Sequence, residues 1–276
     1  MSAVCALVLV RAGVSGADEP SAPPDTQFAT FAFASELGSG LYEIGGSLIQ
    51  IYQLPFSYVV RPAQRPQGRP GLRIIVPTTV GFFNFQTSDL VHLDIPTSIG
   101  QLSIEPGIQL DYWLDEDWHL YPYGKAGASF ASSSEVNALI FGIGMRSDYR
   151  FSVLDGAGLY RAELLHAGVH YYQGSGVPDD SFTRLRNGVE LRHRVGRPVA
   201  DRWAELGVYA VLDIYANPPS GPASGISTRT LQGEVGLMFG TNPTYQVLGL
   251  DVPRLGIGYR AAGSLSGWRI VFGSPF

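Results

Sequence analysis

The feature that most constrains this chain is an alternation of apolar and polar residues with a period of two, which recurs throughout Gln27–Phe276. One segment, for example, places Leu206 and Leu212 on one face and Glu205 and Asp213 on the other. Such alternation predicts β-strands with one apolar face, because a helix would repeat every three to four residues. The fold class predicted from the sequence is therefore all-β.

About twelve segments carry the pattern, and turn-forming residues separate them. The predicted strands are Gln27–Ala34, Leu48–Val60, Gly71–Phe83, Ile104–Leu114, Trp118–Phe130, Asn137–Tyr149, Gly158–Tyr172, Phe182–Val195, Glu205–Ala216, Leu231–Phe239, Leu255–Ala261 and Gly267–Phe276. An even number of strands suits a closed antiparallel barrel with both ends on one side of a membrane. In the seventh segment the phase changes at Leu164 and Leu165, which predicts a bulge.

Composition leaves two all-β classes open. Hydrophobic residues make up 45% of the chain, but no run of about 18 apolar residues occurs, so a membrane-spanning helix is not expected. The net charge of −5 provides no basic surface for nucleic acid. The chain is either a soluble β protein with its apolar faces inside or a membrane barrel with its apolar faces outside.

The last strand and the connections favour the membrane barrel. Trp268, Ile270, Phe272 and Phe276 stand at alternating positions of the final segment, and this pattern resembles the signal that the barrel-assembly machinery recognises. Aromatic residues at other strand ends, such as Trp118, are typical of the girdles at membrane interfaces. The predicted location is the outer membrane of a Gram-negative bacterium, where lipid and lipopolysaccharide surround the protein.

The connections differ in length between the two ends of the predicted barrel. With the N-terminus in the periplasm, the short turns Asp115–Asp117, Phe151–Gly156 and Gly196–Asp201 face the periplasm. The longer loops Gln86–Gln101 and Asn217–Ser227 then face outward, as is usual in bacterial barrels.

Three regions are predicted along the chain. Residues 1–17 read as a signal peptide, with an apolar run and the small residues Ser15, Gly16 and Ala17 before the cleavage site. Residues 18–26 are rich in proline and acidic residues and are expected to form a short disordered leader. The barrel is expected to span residues 27–276.

Two stretches carry a family resemblance. The segments Leu72–Phe85 and Ile104–Ala126 resemble the solitary outer-membrane autotransporter-type barrels, which look like the translocator of an autotransporter without its passenger. The resemblance implies a structural or pore-forming, porin-like barrel without catalysis. Only about nine residues lie between the predicted cleavage site and the barrel, so passenger secretion is not expected.

Charged residues on the predicted inner faces are the candidate pore lining. They are Arg184, Arg186, Glu190, Arg192, Arg194, Glu205, Asp213 and Glu234. They either tune the passage of ions or solutes, or form a salt-bridge network that plugs a narrow barrel.

No catalytic residue, metal site or cofactor is predicted. His166 and His170 lie about 13 Å apart along a strand, too far to bind one metal ion. A lipid-acting hydrolase barrel remains an alternative if His193 or His170 has a serine beside it. A soluble, lipid-carrying β protein is the other alternative, and it requires Leu206, Val208, Leu212 and Ile214 to face a packed core.

Overall fold

The computed structural model describes residues 36, 38–44, 47–64, 68–83, 101–131, 137–153, 156–172, 179–199, 201–217, 230–243, 246–247, 250–251, 254–262 and 265–276. Its regular structure is all-β, as predicted. The strands are β1 Gly40–Ile44, β2 Ser47–Arg61, β3 Gly71–Phe83, β4 Gln101–Ile104, β5 Gly107–Trp113, β6 Trp118–Ala131, β7 Asn137–Val153, β8 Gly156–Tyr171, β9 Asp180–Val199, β10 Arg202–Asn217, β11 Leu231–Asn242, β12 Gln246–Val247, β13 Leu250–Asp251, β14 Leu255–Ala262 and β15 Leu265–Phe272.

The large sheet closes into a barrel of twelve antiparallel positions. Consecutive positions of the ring pair in chain order, and β1 pairs with β15 to close the ring. Strands β4 and β5 are two parts of one position, because both lie between β3 and β6. The short β12 and β13 form a separate hairpin in the connection between β11 and β14. The ring is closed through the short β1, and β2 continues beyond Ile51, where its pairing with β1 ends.

The two faces of the wall are inverted relative to those of a soluble protein. Tyr58 and Ile143 are 70% and 65% exposed on the outer face, whereas Arg184 and Arg260 are each 1% exposed inside. This inversion is the arrangement of a membrane barrel, in which lipid covers the apolar face.

The exposure of the side chains also contradicts the alternative of a soluble, lipid-carrying β protein. Val208 and Leu212, which a soluble fold would bury, are 47% and 40% exposed on the outer face of β10. Polar residues of β10 point the other way, since Glu205 and Asp213 are buried.

Most predicted strands are observed, with ends that differ by a few residues. The predicted first strand, Gln27–Ala34, lies outside the described residues, and β1 takes the first position in the barrel. The predicted strand Ile104–Leu114 is interrupted at Glu105 and Pro106, where the chain passes from β4 to β5.

The predicted bulge at Leu164 and Leu165 is wrong. Strand β8 pairs without a register shift with both β7 and β9. Leu165 is fully buried inside the barrel and Leu164 is 51% exposed outside. The alternation of faces therefore continues through this strand, with apolar residues such as Leu165, Ala167 and Val169 at inward positions.

The connections sort to the two ends of the barrel as predicted. The turns after β5, β7 and β9 lie at the end where β15 finishes, whereas the connections after β3, β8 and β10 lie at the opposite end. Within the described residues, no helix has the length and apolar character needed to cross a membrane.

Candidate functional site in the barrel lumen

A chain of ion pairs runs along the inner wall from β9 to β15. Arg186 and Asp213 face each other on β9 and β10, and their two hydrogen bonds measure 2.7 and 2.9 Å. Arg260 lies 3.2 Å from Asp213 and 2.9 Å from Glu234, so it connects two acidic groups. Arg269 continues the chain at 3.1 Å from Glu234. These groups are buried, so each depends on its partner for compensation of its charge.

A second group of charges joins strands that are not neighbours. Lys125 of β6 lies 2.6 Å from Glu36 and 3.0 Å from Glu105. Arg184 of β9 lies 3.4 Å from the same Glu36 carboxylate and 2.8 Å from Glu163 of β8. Glu36 precedes β1 and is not part of the wall, yet only 10% of its side chain is exposed. Glu36 therefore lies in the lumen, where it is paired with two cations.

The last residues of the chain also enter the lumen. Gly273, with a φ of 80°, turns the chain away from the end of β15. Arg161 then donates to the Ser274 hydroxyl at 3.3 Å and to the Phe276 carbonyl at 3.2 Å. The same guanidinium forms two hydrogen bonds of 2.5 Å with Asp148. This tail narrows the lumen from a second direction.

Phe276 does not share the outer face of the last strand, contrary to the alternation predicted from the sequence. Trp268, Ile270 and Phe272 are 56%, 53% and 54% exposed on that face. The ring of Phe276 instead lies over Gly188 on the inner face of β9, where a Cβ atom would overlap it. The alternation ends at Phe272 because the turn that follows directs the tail inward.

The remaining predicted lining residues fall into two groups. Glu190 is buried and bound by Arg254, and Glu205 is buried on the inner face of β10. Arg192 is half-buried and Arg194 is exposed towards the end of β9. The predicted set thus lies on the inner face, but it extends from the middle of the barrel to one mouth.

Sequence analysis missed several members of the two networks and both members of the ion pair that binds the C-terminal tail. They are Glu36, Lys125, Asp148, Arg161, Glu163, Arg260 and Arg269. Those on strands carry the same signal as the predicted set, an inward position in the alternation. Glu36 carries none, because it precedes the first strand and its position depends on charges contributed by β6 and β9.

A polar cavity of about 400 Å³ remains inside the barrel. Arg73, Arg146 and Arg161 line it, together with Asp148 and Glu163. The guanidinium of Arg146 lies 4.5 Å from the centre of the Tyr121 ring. Cationic groups therefore contribute much of the wall of this cavity.

The histidines of β8 lie on the outer face. His166 is 3.1 Å from the Thr183 hydroxyl, and His170 is 2.7 Å from the Asp179 carboxylate. The hydrogen bond from His170 lowers the pKa of Asp179, which lies at the loop end of the barrel. Within the described ranges, neither these histidines nor His193 is hydrogen-bonded to a serine. Nor do the described residues contain a group of three His, Cys, Asp or Glu side chains that could hold a metal ion.

Comparison with known proteins identifies the fold. No protein-family model matches the sequence, and no curated protein matches it. Among solved structures, the chain is similar to the beta domain of the Bordetella autotransporter BrkA, with a TM-score of 0.55 and 12% identity. The match covers 84% of this chain and 93% of that domain. The chain therefore has the fold of an autotransporter translocator barrel, as the sequence resemblance implied, and an outer-membrane setting fits this fold.

Proposed function

We propose that this protein is a bacterial outer-membrane barrel of the translocator type whose pore is closed in the state described. The observation that carries the proposal is the position of Glu36, held inside the lumen by Lys125 and Arg184. Its role is pore-forming or structural, and no catalytic step is assigned to it.

The outer surface supports the membrane setting. Large apolar side chains are exposed around the wall, including Phe56, Val235 and Phe239 at 58%, 62% and 54%. In water such a surface would drive aggregation, whereas in a bilayer it contacts acyl chains. Outer-membrane lipid and lipopolysaccharide are therefore the proposed surroundings.

The pairing of lumen charges supports a closed pore. An open, water-filled pore hydrates its lining charges, but Arg184, Arg260, Asp213 and Glu234 are 1–3% exposed. Opening requires Glu36 to leave Lys125 and Arg184, so the Glu36 carboxylate loses both cations and needs water or new partners. Of the two interpretations of the lining charges, the structure favours the salt-bridge network.

The barrel-assembly machinery is a further proposed partner, which would bind the protein during its insertion into the membrane. Trp268, Ile270 and Phe272 form an aromatic and apolar row on the outer face of β15. This row is the proposed recognition signal for the barrel-assembly machinery. Since β15 also pairs with β1, its insertion completes the barrel.

The test is single-channel recording of the refolded full-length chain in planar bilayers. We expect the wild-type protein to be silent or to open rarely. The double variant Lys125→Gln, Arg184→Gln removes both cations that hold Glu36, and it should show frequent opening.

Arg194→Gln is the matched control, because this arginine is exposed near the barrel mouth and should leave the closed state unchanged. A slower mobility after boiling on a denaturing gel verifies that each variant has folded. Steady, porin-like conductance of the wild type would contradict a closed pore.

A further inference from the structure

The side chain of Asn187 is a polar group near the middle of the largely apolar outer face. Asn187 is on β9, and it pairs across the sheet with Ala162 near the middle of the 16-residue β8 and with Leu212 of the 16-residue β10. Cross-strand partners share a face, and Leu212 is 40% exposed on the outer face. If the wall spans the membrane as proposed, Asn187 lies within the hydrocarbon layer.

The hydrogen bonding of this amide is incomplete. The Tyr160 hydroxyl donates to Asn187 Oδ1 at 2.7 Å. That bond uses one lone pair, and among the described residues the Asn187 Nδ2 group has no acceptor. Two N–H donors and one acceptor lone pair therefore point into a layer where lipid acyl chains offer no partner.

The outer wall has a depression next to the Asn187 amide. The depression has a volume of about 510 Å³. Its lining includes Ala210, Gly233 and Ala261, whose side chains are small or absent, and Val235, which is 62% exposed. Small residues of this kind allow protein surfaces to approach closely inside a membrane.

We infer that this face of β8–β11 is a dimer interface that binds a second copy of the same chain about a two-fold axis near Asn187. A primary amide is self-complementary, because each copy offers N–H donors and a free lone pair to the other. A two-fold axis brings identical patches together, so the two Asn187 side chains meet and each fills the other's unmet hydrogen bonds. The inference rests on the membrane setting proposed above.

The first test compares self-association of refolded full-length variants by sedimentation in density-matched detergent micelles. Wild type should form a reversible dimer. Asn187→Leu should raise the dimer dissociation constant about tenfold, as the loss of two hydrogen bonds within a membrane predicts. His193→Leu is the matched control, since it replaces another outward polar residue of β9 and should leave the constant unchanged.

Tyr160→Phe separates the interface from a purely structural role. If the amide serves only to bind Tyr160 within one copy, Tyr160→Phe and Asn187→Leu should have the same effect. The dimer interface predicts instead that Tyr160→Phe retains or strengthens the dimer, because it frees an acceptor lone pair on Asn187.

A cross-linking test locates the axis. Because Cys5 is the only cysteine, Cys5→Ala provides a clean background. In this background Asn187→Cys should form a disulfide-linked dimer on mild oxidation, whereas Ile143→Cys, on the outer face of β7, should not.

The outcomes distinguish the two proposals. A heat-modifiable but strictly monomeric wild type, or equal cross-linking at both positions, overturns the dimer and leaves the barrel intact. A wild type that stays soluble without detergent and shows no heat-modifiable shift overturns the membrane setting itself.

Discussion

Replacement of Glu234 by glutamine should strongly destabilise the ion pairs of the lumen, although it hardly changes the shape of the side chain. Its carboxylate accepts hydrogen bonds from Tyr209 at 2.8 Å, Arg260 at 2.9 Å and Arg269 at 3.1 Å. Glu234→Gln retains the size of the side chain and removes its charge. Arg260 still has Asp213, but Arg269 loses its carboxylate partner.

The magnitude follows from the burial of the group, which is 3% exposed. Removal of one partner from a buried ion pair costs about 3–5 kcal/mol. The amide oxygen of glutamine still accepts one hydrogen bond, so the lower end of that range applies. We expect Glu234→Gln to lower the free energy of unfolding by about 3 kcal/mol, or more than a hundredfold in the equilibrium constant.

The assay is reversible urea unfolding from lipid vesicles, followed by the fluorescence of the four tryptophans. Glu116→Gln is the control, because Glu116 is exposed in the turn after β5 and its change should stay within about 0.5 kcal/mol. A loss below about 1 kcal/mol for Glu234→Gln would refute the reasoning, since it would mean that water already compensates the charges in this part of the lumen.

Three further predictions concern the tail, the outer face and assembly. Gly188→Ala should displace the Phe276 ring and speed release of the last residues by carboxypeptidase, whereas Gly124→Ala, with open space around it, should not. Val208→Lys places a charge on the outer face in the middle of β10 and should cost about 2–4 kcal/mol in the same vesicle unfolding assay, whereas Glu116→Lys in the turn should cost little. Phe272→Ser should reduce the yield of heat-modifiable protein in bacterial outer membranes more than Phe276→Ser does, because only Phe272 lies on the outward row. Equal losses would mean that Phe276 belongs to the assembly signal, as the alternation in the sequence predicts.

The sequence was sufficient for the wall of this barrel. Alternation is a local property with a period of two, so it identifies strands such as Gly71–Phe83 and the inward position of Arg186 or Asp213 without knowledge of their neighbours. The regular succession of strands and turns also predicts the order of pairing, because strands that follow each other in the chain usually lie side by side in the sheet.

The tertiary structure alone decided which charges meet and what fills the lumen. Lys125 and Arg184 meet at Glu36 only after the ring has closed and β6 and β9 face a common interior. The inward path of Phe276 depends likewise on a turn after the strand and on the gap that Gly188 leaves on another strand. These contacts join residues distant in the chain, and a repeat of two residues contains no information about positions across the barrel. The sequence therefore determined the strands of the barrel wall, whereas closure of the wall determined which charged groups and chain ends meet in the lumen.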